Sequence, residues 1–241
     1  MVDIDVYGYI TADKWDDTDV SAKDFISALR AAKGEDVTVH INSGGGDTME
    51  AAAMAQAVRG YKGHVTASIE GLAASAASYF ALEADSVVMN PYAFLMIHNP
   101  SGACMGTAAD MRETAELLDK VRGTISAQYA RKTGMDGGEI ESLMDAETWF
   151  TAEEALERGF VDSLTDAEPI AACVTPRVFA KYKHAPSHLR DSAPEPATGE
   201  VPPTITEDND AEKPDAGAAE GETGAVSKVV CVNGQFLNQK E

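Results

Sequence analysis

The stretch "VTVHINSGGGD", residues 37–47, contains a strand, a glycine-rich turn and a helix start in one run. "VTVHI" alternates β-branched apolar residues with polar ones, which predicts a half-buried strand. Three consecutive glycines then end it. Asp47, followed by Glu50, has the spacing of a capping box, so we expect a helix from here to about Arg59. A strand that turns directly into a helix is the repeating unit of α/β folds.

The same alternation continues along the chain. The further predicted strands are "HVTASI" (64–69), "SVVM" (86–89), "FLMI" (94–97) and "FVDSL" (160–164). The further predicted helices are 75–84, entered through the turn "GLAA", a long amphipathic helix at about 107–132, and the short segments "GEIESLMD" and "TAEEALERG". This order predicts an α/β fold with a mostly parallel sheet and right-handed crossovers.

Composition divides the chain into three parts. Residues 1–185 have the composition of a single folded domain. The stretch from Pro186 to the end has 11 acidic residues against 4 basic ones and six of the ten prolines. Residues 186–224 are therefore predicted to be a disordered acidic linker rich in Pro, Ala and Glu. Residues 225–241 contain "VSKVVCVNGQF", the pattern of a short strand entering an Asn-Gly turn, which could pair with a sheet edge.

Charge and cysteine usage exclude several classes of function. The net charge of −21 argues against a nucleic-acid binder, which needs a basic face. Cys104, Cys173 and Cys231 have no metal-like spacing, so we expect neither a disulfide framework nor a zinc site, and no cofactor. There is no long apolar run and no basic export signal at the start. We therefore expect no membrane contact and a cytoplasmic location.

Two turns carry residue types suited to catalysis. The glycines of "INSGGGD" can aim backbone amides at a phosphate or an oxyanion, although a plain tight turn is equally consistent with them. They match neither a P-loop nor a dinucleotide fingerprint. In "GLAASAAS" (71–78), Ser75 is either a helix-start serine or a nucleophile that needs a base. His98 ends the apolar strand "FLMI"; the residues alone leave it structural or catalytic.

Four blocks, taken together, resemble a known family. "INSGGG", "GLAASAAS", "MIHNP" and "AETWFTAEEALERGFVDS" follow one another in the order and spacing of the Clp peptidase family. Within it, the chain is most similar to the head maturation (prohead) proteases of bacteriophages. The resemblance covers roughly residues 1–165. It implies a crotonase-like α/β spiral that assembles into homo-oligomeric rings and cleaves peptide bonds with a Ser-His-acid triad.

The resemblance also assigns roles to residues. It implies that Ser75 is the nucleophile, His98 the base and Glu147 the acid, with the amides of Gly46 and Ala76 as the oxyanion hole. Two departures stand out. The family has Asp where this chain has Glu147, so Asp145 is kept as an alternative acid. Its usual Ser-Pro-Gly-Gly is Ser-Gly-Gly-Gly here, at residues 43–46.

With these departures, the resemblance implies an ATP-independent serine endopeptidase acting on capsid or scaffold proteins in the host cytoplasm or the assembling prohead. The chain starts almost at its first strand and has no ATP-binding motif, so we expect no unfoldase ATPase as partner. The apolar stripe from Met111 to Ile125 is the surface expected to support a ring. Two alternatives stay open: an inactive ring scaffold, and a crotonase-type acyl-CoA enzyme, for which no basic phosphate-binding patch is visible.

Overall fold

The computed structural model describes residues 1–166, 182–186, 228–232 and 235–239. Its strands are β1 Val2–Tyr7, β2 Val37–Ser43, β3 Val65–Ala74, β4 Ser86–Met89, β5 Phe94–Ile97, β6 Gly102–Cys104, β7 Thr148–Thr151, β8 Ser163–Leu164, β9 Lys228–Val232 and β10 Gln235–Gln239. Its helices are α1 Ala22–Ala31, α2 Thr48–Arg59, α3 Ala76–Ala81, α4 Ala108–Thr133, α5 Gly137–Asp145 and α6 Ala152–Glu157. Apart from Pro186, the predicted linker at 186–224 lies outside the described residues.

The main sheet has seven strands and is mostly parallel, which confirms the predicted α/β class. Its parallel strands run in the order β1-β2-β3-β4-β8, and β5 also pairs in parallel with β3. Only β7 is antiparallel, and it pairs with β5. Because parallel strands end at the same edge, the carboxyl ends of β2, β3 and β5 lie close together.

The third strand is longer than predicted. The expected turn at "GLAA" is wrong, because β3 continues to Ala74. Its first half pairs with β4, through Thr66 to Ile69, and its second half pairs with β5, through Leu72 to Ala74. The hydrogen bonds offered by β5 keep this small-residue stretch extended. The strand predicted at "FVDSL" is shorter than expected. Only its last two residues, Ser163–Leu164, form a strand, β8.

The predicted capping box at the start of α2 is half right. The Asp47 side chain accepts hydrogen bonds from the amides of Met49, at 2.6 Å, and Glu50, at 3.2 Å. The carboxylate of Glu50 does not return to the cap. It accepts from the amide of Ala22, at 2.7 Å, and so joins the first turn of α1 to α2.

Helix α4 is buried mainly at its C-terminal end, although Thr114 in its N-terminal half is also buried. Its C-terminal half packs into the core through Ile125 and Tyr129, which are 6% and 1% exposed. Its N-terminal half leaves the core, and Met111 is 53% exposed. The apolar stripe predicted from Met111 to Ile125 therefore packs on its own domain only at its C-terminal end.

A second, smaller sheet involves the C-terminal segment. Strands β9 and β10 pair antiparallel, and β9 pairs antiparallel with β6. This sheet is separate from the seven-stranded sheet. The strand predicted near the C-terminus therefore pairs with β6, which follows His98 in the sequence. Within the described parts of the chain, no helix has both the length and the hydropathy needed to cross a bilayer.

Candidate active site

The strand registers bring three of the predicted site residues to one edge of the sheet. Ala74 of β3 lies opposite Met96 of β5, so Ser75 and His98 both follow directly on paired strands. Ile97 of β5 lies opposite Thr148 of β7. Because β7 is antiparallel, its first residue lies beside the end of β5, and Glu147 immediately precedes it. The fold thus gathers Ser75, His98 and Glu147 from three separate parts of the sequence.

Ser75 occupies a strained turn between β3 and α3. Its backbone has φ 57° and ψ −122°, a conformation that costs an L-residue roughly 1–3 kcal/mol. The turn is held by hydrogen bonds from the Ser75 amide to the Met96 carbonyl, at 2.9 Å, and from the Ser78 hydroxyl to the Ser75 carbonyl, at 2.7 Å. A sharp strand-to-helix turn of this kind exposes the serine Oγ above the sheet.

The side chain of Ser75 bonds to a histidine, not to its own helix. It makes no cap hydrogen bond to α3, although it stands at the N-cap position. Its Oγ lies 2.7 Å from Nε2 of His98. This separation is within hydrogen-bond reach, the geometry in which an imidazole can accept a serine proton. The helix-capping interpretation of Ser75 is therefore wrong.

The triple glycine approaches this turn more closely than other residues could. A Cβ on Gly45 would lie 2.5 Å from the Ala74 carbonyl oxygen and 2.8 Å from the Ala76 amide. A Cβ on Gly46 would lie 2.1 Å from the Ile10 carbonyl oxygen. Both glycines have positive φ, so their backbone also disfavours a side chain. The loop is therefore a close neighbour of Ser75 rather than a plain surface turn.

Glu147 is half-buried beside His98, and its carboxylate is held by backbone amides. Its Oε2 accepts from the Lys183 amide at 3.0 Å, and its Oε1 accepts from the His184 amide at 2.7 Å. Burial raises the pKa of Glu147, but these amides, the Trp149 indole and the nearby His98 together lower it below its usual value. The ionised carboxylate therefore stabilises the fold above the unfolded-state pKa, near 4.5, and this contribution is lost as the pH falls through the lower folded-state pKa.

Asp145, the alternative acid, lies in a surface ion pair. Its Oδ1 accepts from the side-chain amide of Asn99 at 2.8 Å and from the Arg122 guanidinium at 3.0 Å. The side chain is 60% exposed. Asp145 therefore contacts the residue that follows His98, whereas the charge of Glu147 interacts with the imidazole of His98 itself.

A small pocket opens next to the Ser75–His98 pair. Its walls are mostly apolar and aromatic, and they come from the loop after β5 and from helices α2, α3 and α4. The lining residues away from the pair are Thr48, Ala76, Tyr79, Pro100, Ile125 and Tyr129. Its open space of about 10 Å³ holds at most one water molecule, so in this conformation it does not receive a side chain of a bound peptide.

One residue at the site was not predicted from the sequence. Tyr182 is 4% exposed, and its hydroxyl donates to the Gly44 carbonyl at 2.6 Å. Its ring meets His98 edge to face, with centroids 5.4 Å apart. No motif marks this tyrosine. Among the described residues, no group of three or more His, Cys, Asp or Glu is arranged to hold a metal ion.

The family model and the similar proteins all point to one family. Residues 13–168 match the family described as Clp protease. The chain is 34% identical over 136 residues to ATP-dependent Clp protease proteolytic subunit 2 of Thermobifida fusca, covering 56% of this chain and 67% of that protein. It is 34% identical over 142 residues to subunit 3 of Streptomyces coelicolor, covering 56% of this chain and 65% of that protein.

A solved structure has a similar fold. A ClpP1 mutant from Listeria monocytogenes matches with a TM-score of 0.61 at 23% identity, over 69% of this chain and 92% of that one. At this identity the likeness concerns the fold alone. The strands that carry Ser75, His98 and Glu147 all lie within the residues that match the family.

Proposed function

Because the chain belongs to the Clp protease family, we propose that it is a serine endopeptidase that uses Ser75, His98 and Glu147. The observation that carries the proposal is the 2.7 Å separation of Ser75 Oγ and His98 Nε2 on a strained turn. A nucleophile and a base held in this way are the minimum needed for acyl transfer.

The reaction follows from this geometry. His98 Nε2 takes the proton as Ser75 Oγ attacks the peptide carbonyl. The tetrahedral intermediate collapses when His98 gives that proton to the leaving amine, which leaves an acyl ester on Ser75. A water molecule then gives a proton to the same imidazole and attacks the ester, and the imidazolium returns that proton to Ser75 Oγ as the carboxylic acid product leaves. Peptide hydrolysis is spontaneous in water, so these steps need no ATP.

We assign the oxyanion hole to the amides of Gly46 and Ala76. The amide of Gly45 is already bonded to the hydroxyl of Ser43, at 3.1 Å. None of the hydrogen bonds described for this chain uses the amides of Gly46 or Ala76. Gly46 follows the glycine that packs on the Ser75 turn, and Ala76 follows the nucleophile, which supports the choice of these two amides as donors to the developing negative charge.

We expect Glu147→Gln to lower kcat by about 10⁴-fold, and Asp145→Asn to leave it within about threefold. The glutamine has one acceptor oxygen in place of two, so its NH₂ faces a backbone N–H of Lys183 or His184 and cannot stabilise the imidazolium. Asp145 serves as the control because it is bonded to Arg122. Kinetics on a fluorogenic peptide measure both variants. Full activity in Glu147→Gln with loss in Asp145→Asn would reassign the acid.

The proposed activity is tested on an unfolded protein substrate. We expect the purified chain to cleave reduced, carboxymethylated lactalbumin at the same rate with and without ATP and Mg²⁺, with discrete peptides visible by mass spectrometry. The relatives named above are called ATP-dependent, so a rate that requires ATP and an added ATPase would contradict the ATP-independent part of the proposal alone. No cleavage under either condition would favour the inactive scaffold.

We propose that the natural substrates are capsid or scaffold proteins of a bacteriophage, cleaved in the host cytoplasm or the assembling prohead. This narrower proposal rests on the resemblance of the four sequence blocks to head maturation proteases. Coexpression with the capsid protein, comparing the wild type with Glu147→Gln, tests it. A capsid protein of unchanged mass in both cultures would contradict it.

We further propose that the active form is a homo-oligomeric ring. The N-terminal half of α4 supports this proposal, because Met111 is 53% exposed on a helix whose other end is in the core. Burying that apolar surface against a second copy would remove it from water. Sedimentation at micromolar concentration should give a multiple of 25.5 kDa. A fully active monomer would contradict the ring.

A further inference from the structure

We propose that the segment Tyr182–Ala185 is a positioning element of the active site, which fixes the carboxylate of Glu147 and the imidazole of His98 in their reactive orientation. The inference rests on the proposed peptidase function. It adds residues that come after the family match, which ends at residue 168.

The first contact that carries this inference is to the carboxylate. Two successive amides, of Lys183 and His184, donate to different oxygens of Glu147, at 3.0 and 2.7 Å. The Trp149 indole donates to Oε1 at 3.4 Å. A carboxylate offers about four lone-pair positions, so one remains for the imidazole. The paired amides fix the plane of the carboxylate, and with it the direction of that remaining position.

Glu147 needs this support more than an aspartate at the same position would. A glutamate has one more rotatable bond, so an unsupported carboxylate has more orientations to lose on binding the imidazole. Glu147 also has a positive φ of 50°, an uncommon conformation that neighbouring contacts must maintain. The two amides restrict the longer side chain and help to maintain the uncommon backbone conformation. They can do so because they bind the carboxylate from a segment more than thirty residues away in the sequence.

The second contact is to the base and the glycine loop. The ring of Tyr182 meets the rings of His98 and Trp149 edge to face, with centroids 5.4 and 5.5 Å apart. Its hydroxyl donates to the Gly44 carbonyl at 2.6 Å. Tyr182 therefore touches the base and the loop that we assign to the oxyanion hole.

The segment is anchored by apolar contacts on the face of the sheet opposite the main core. Tyr182 and Ala185 are buried against Leu72, Ala74 and Met96 of β3 and β5. His184 adds a contact from its Nδ1 to the Ala146 carbonyl, at 2.9 Å. These contacts fix the position of the segment against the sheet. The amides of Lys183 and His184 and the ring of Tyr182 then face the reacting groups.

The test separates the backbone amide from the side chain. In the full-length protein, Lys183→Pro removes the amide that binds Glu147, and Lys183→Ala keeps it. We expect Lys183→Pro to lower kcat about tenfold or more with KM within about twofold, the cost of one hydrogen bond to a charged group. The acid side of its kcat/KM profile should move to lower pH, because a carboxylate that is free to turn away from the imidazole stabilises the imidazolium less. Lys183→Ala should match the wild type in both.

Equal kinetics and equal pH profiles for the two Lys183 variants would overturn the inference. If the circular dichroism spectrum shows that Lys183→Pro does not fold, the inference is tested with Tyr182→Phe instead, because this variant removes only the hydroxyl. We then expect kcat to fall about three- to tenfold, with an unfolding midpoint lower by only a few degrees because the Gly44 carbonyl loses its donor; an unchanged kcat would overturn the inference. Activity that survives Ser75→Ala would instead overturn the proposed function itself, so the two failures are distinguishable.

Discussion

Ser75→Ala should reduce peptide hydrolysis to background, a loss on the order of 10⁶-fold in kcat. The substitution removes one oxygen, the atom that lies 2.7 Å from His98 Nε2 and forms the acyl ester. It keeps the Cβ, so the strained backbone at φ 57° and the packing of the turn are preserved. The loss should therefore appear in kcat, with a change in unfolding free energy of only about 1 kcal/mol.

The matched control is Ser101→Ala, an exposed serine three residues after the base. Both variants are measured with the same fluorogenic peptide, and their folding is compared by thermal unfolding. Ser101→Ala should retain wild-type kcat. If Ser75→Ala keeps more than about a hundredth of the wild-type rate while folded, Ser75 is not the nucleophile.

His98→Ala should cause a loss of similar size, because serine is a poor nucleophile without a base. It should also change the pH dependence. In the wild type, kcat/KM should fall as the pH drops through about 6 to 7, where imidazoles gain a proton and can no longer accept one. Glu147 has a lowered pKa and stays ionised throughout that range, so it does not contribute to the fall.

The control for the base is His64→Ala, since His64 is exposed and bonds to Ser86 away from the site. Its pH profile should match that of the wild type. The residual activity of His98→Ala should be flat between pH 5 and about 7. A residual rate that still falls through that range would show that another group supplies the titration.

The sequence predicted the strands whose pattern is local. The alternation in "VTVHI" and the apolar run in "FLMI" gave β2 to within two residues and β5 with its observed bounds. The second half of β3 was mistaken for a turn, because "GLAA" has the small residues of a loop. It is a strand because β5, more than twenty residues later, pairs with Leu72 to Ala74, and β2 pairs with Ala73 on the other side. Long-range pairing of this kind leaves no local pattern.

The candidate site was likewise predictable only where a local sequence pattern marks it. The four sequence blocks led to Ser75 and His98, and the structure brings their side chains together through the register of β3 on β5. The segment Tyr182–Ala185 was missed because it holds Glu147 through backbone amides, which every residue except proline possesses. The folded structure reveals it, through these amide hydrogen bonds and the burial of Tyr182 beside His98.

The central claim, that Ser75 is an activated nucleophile, is tested most directly by labelling with a fluorophosphonate probe and locating the adduct by mass spectrometry. The probe reacts with serines whose proton is taken by a base. We predict a single adduct on the peptide that contains Ser75, absent after heat denaturation and absent in His98→Ala. A label on Ser78 or Ser43 with Ser75 unmodified, or no label on the folded protein, would contradict the claim.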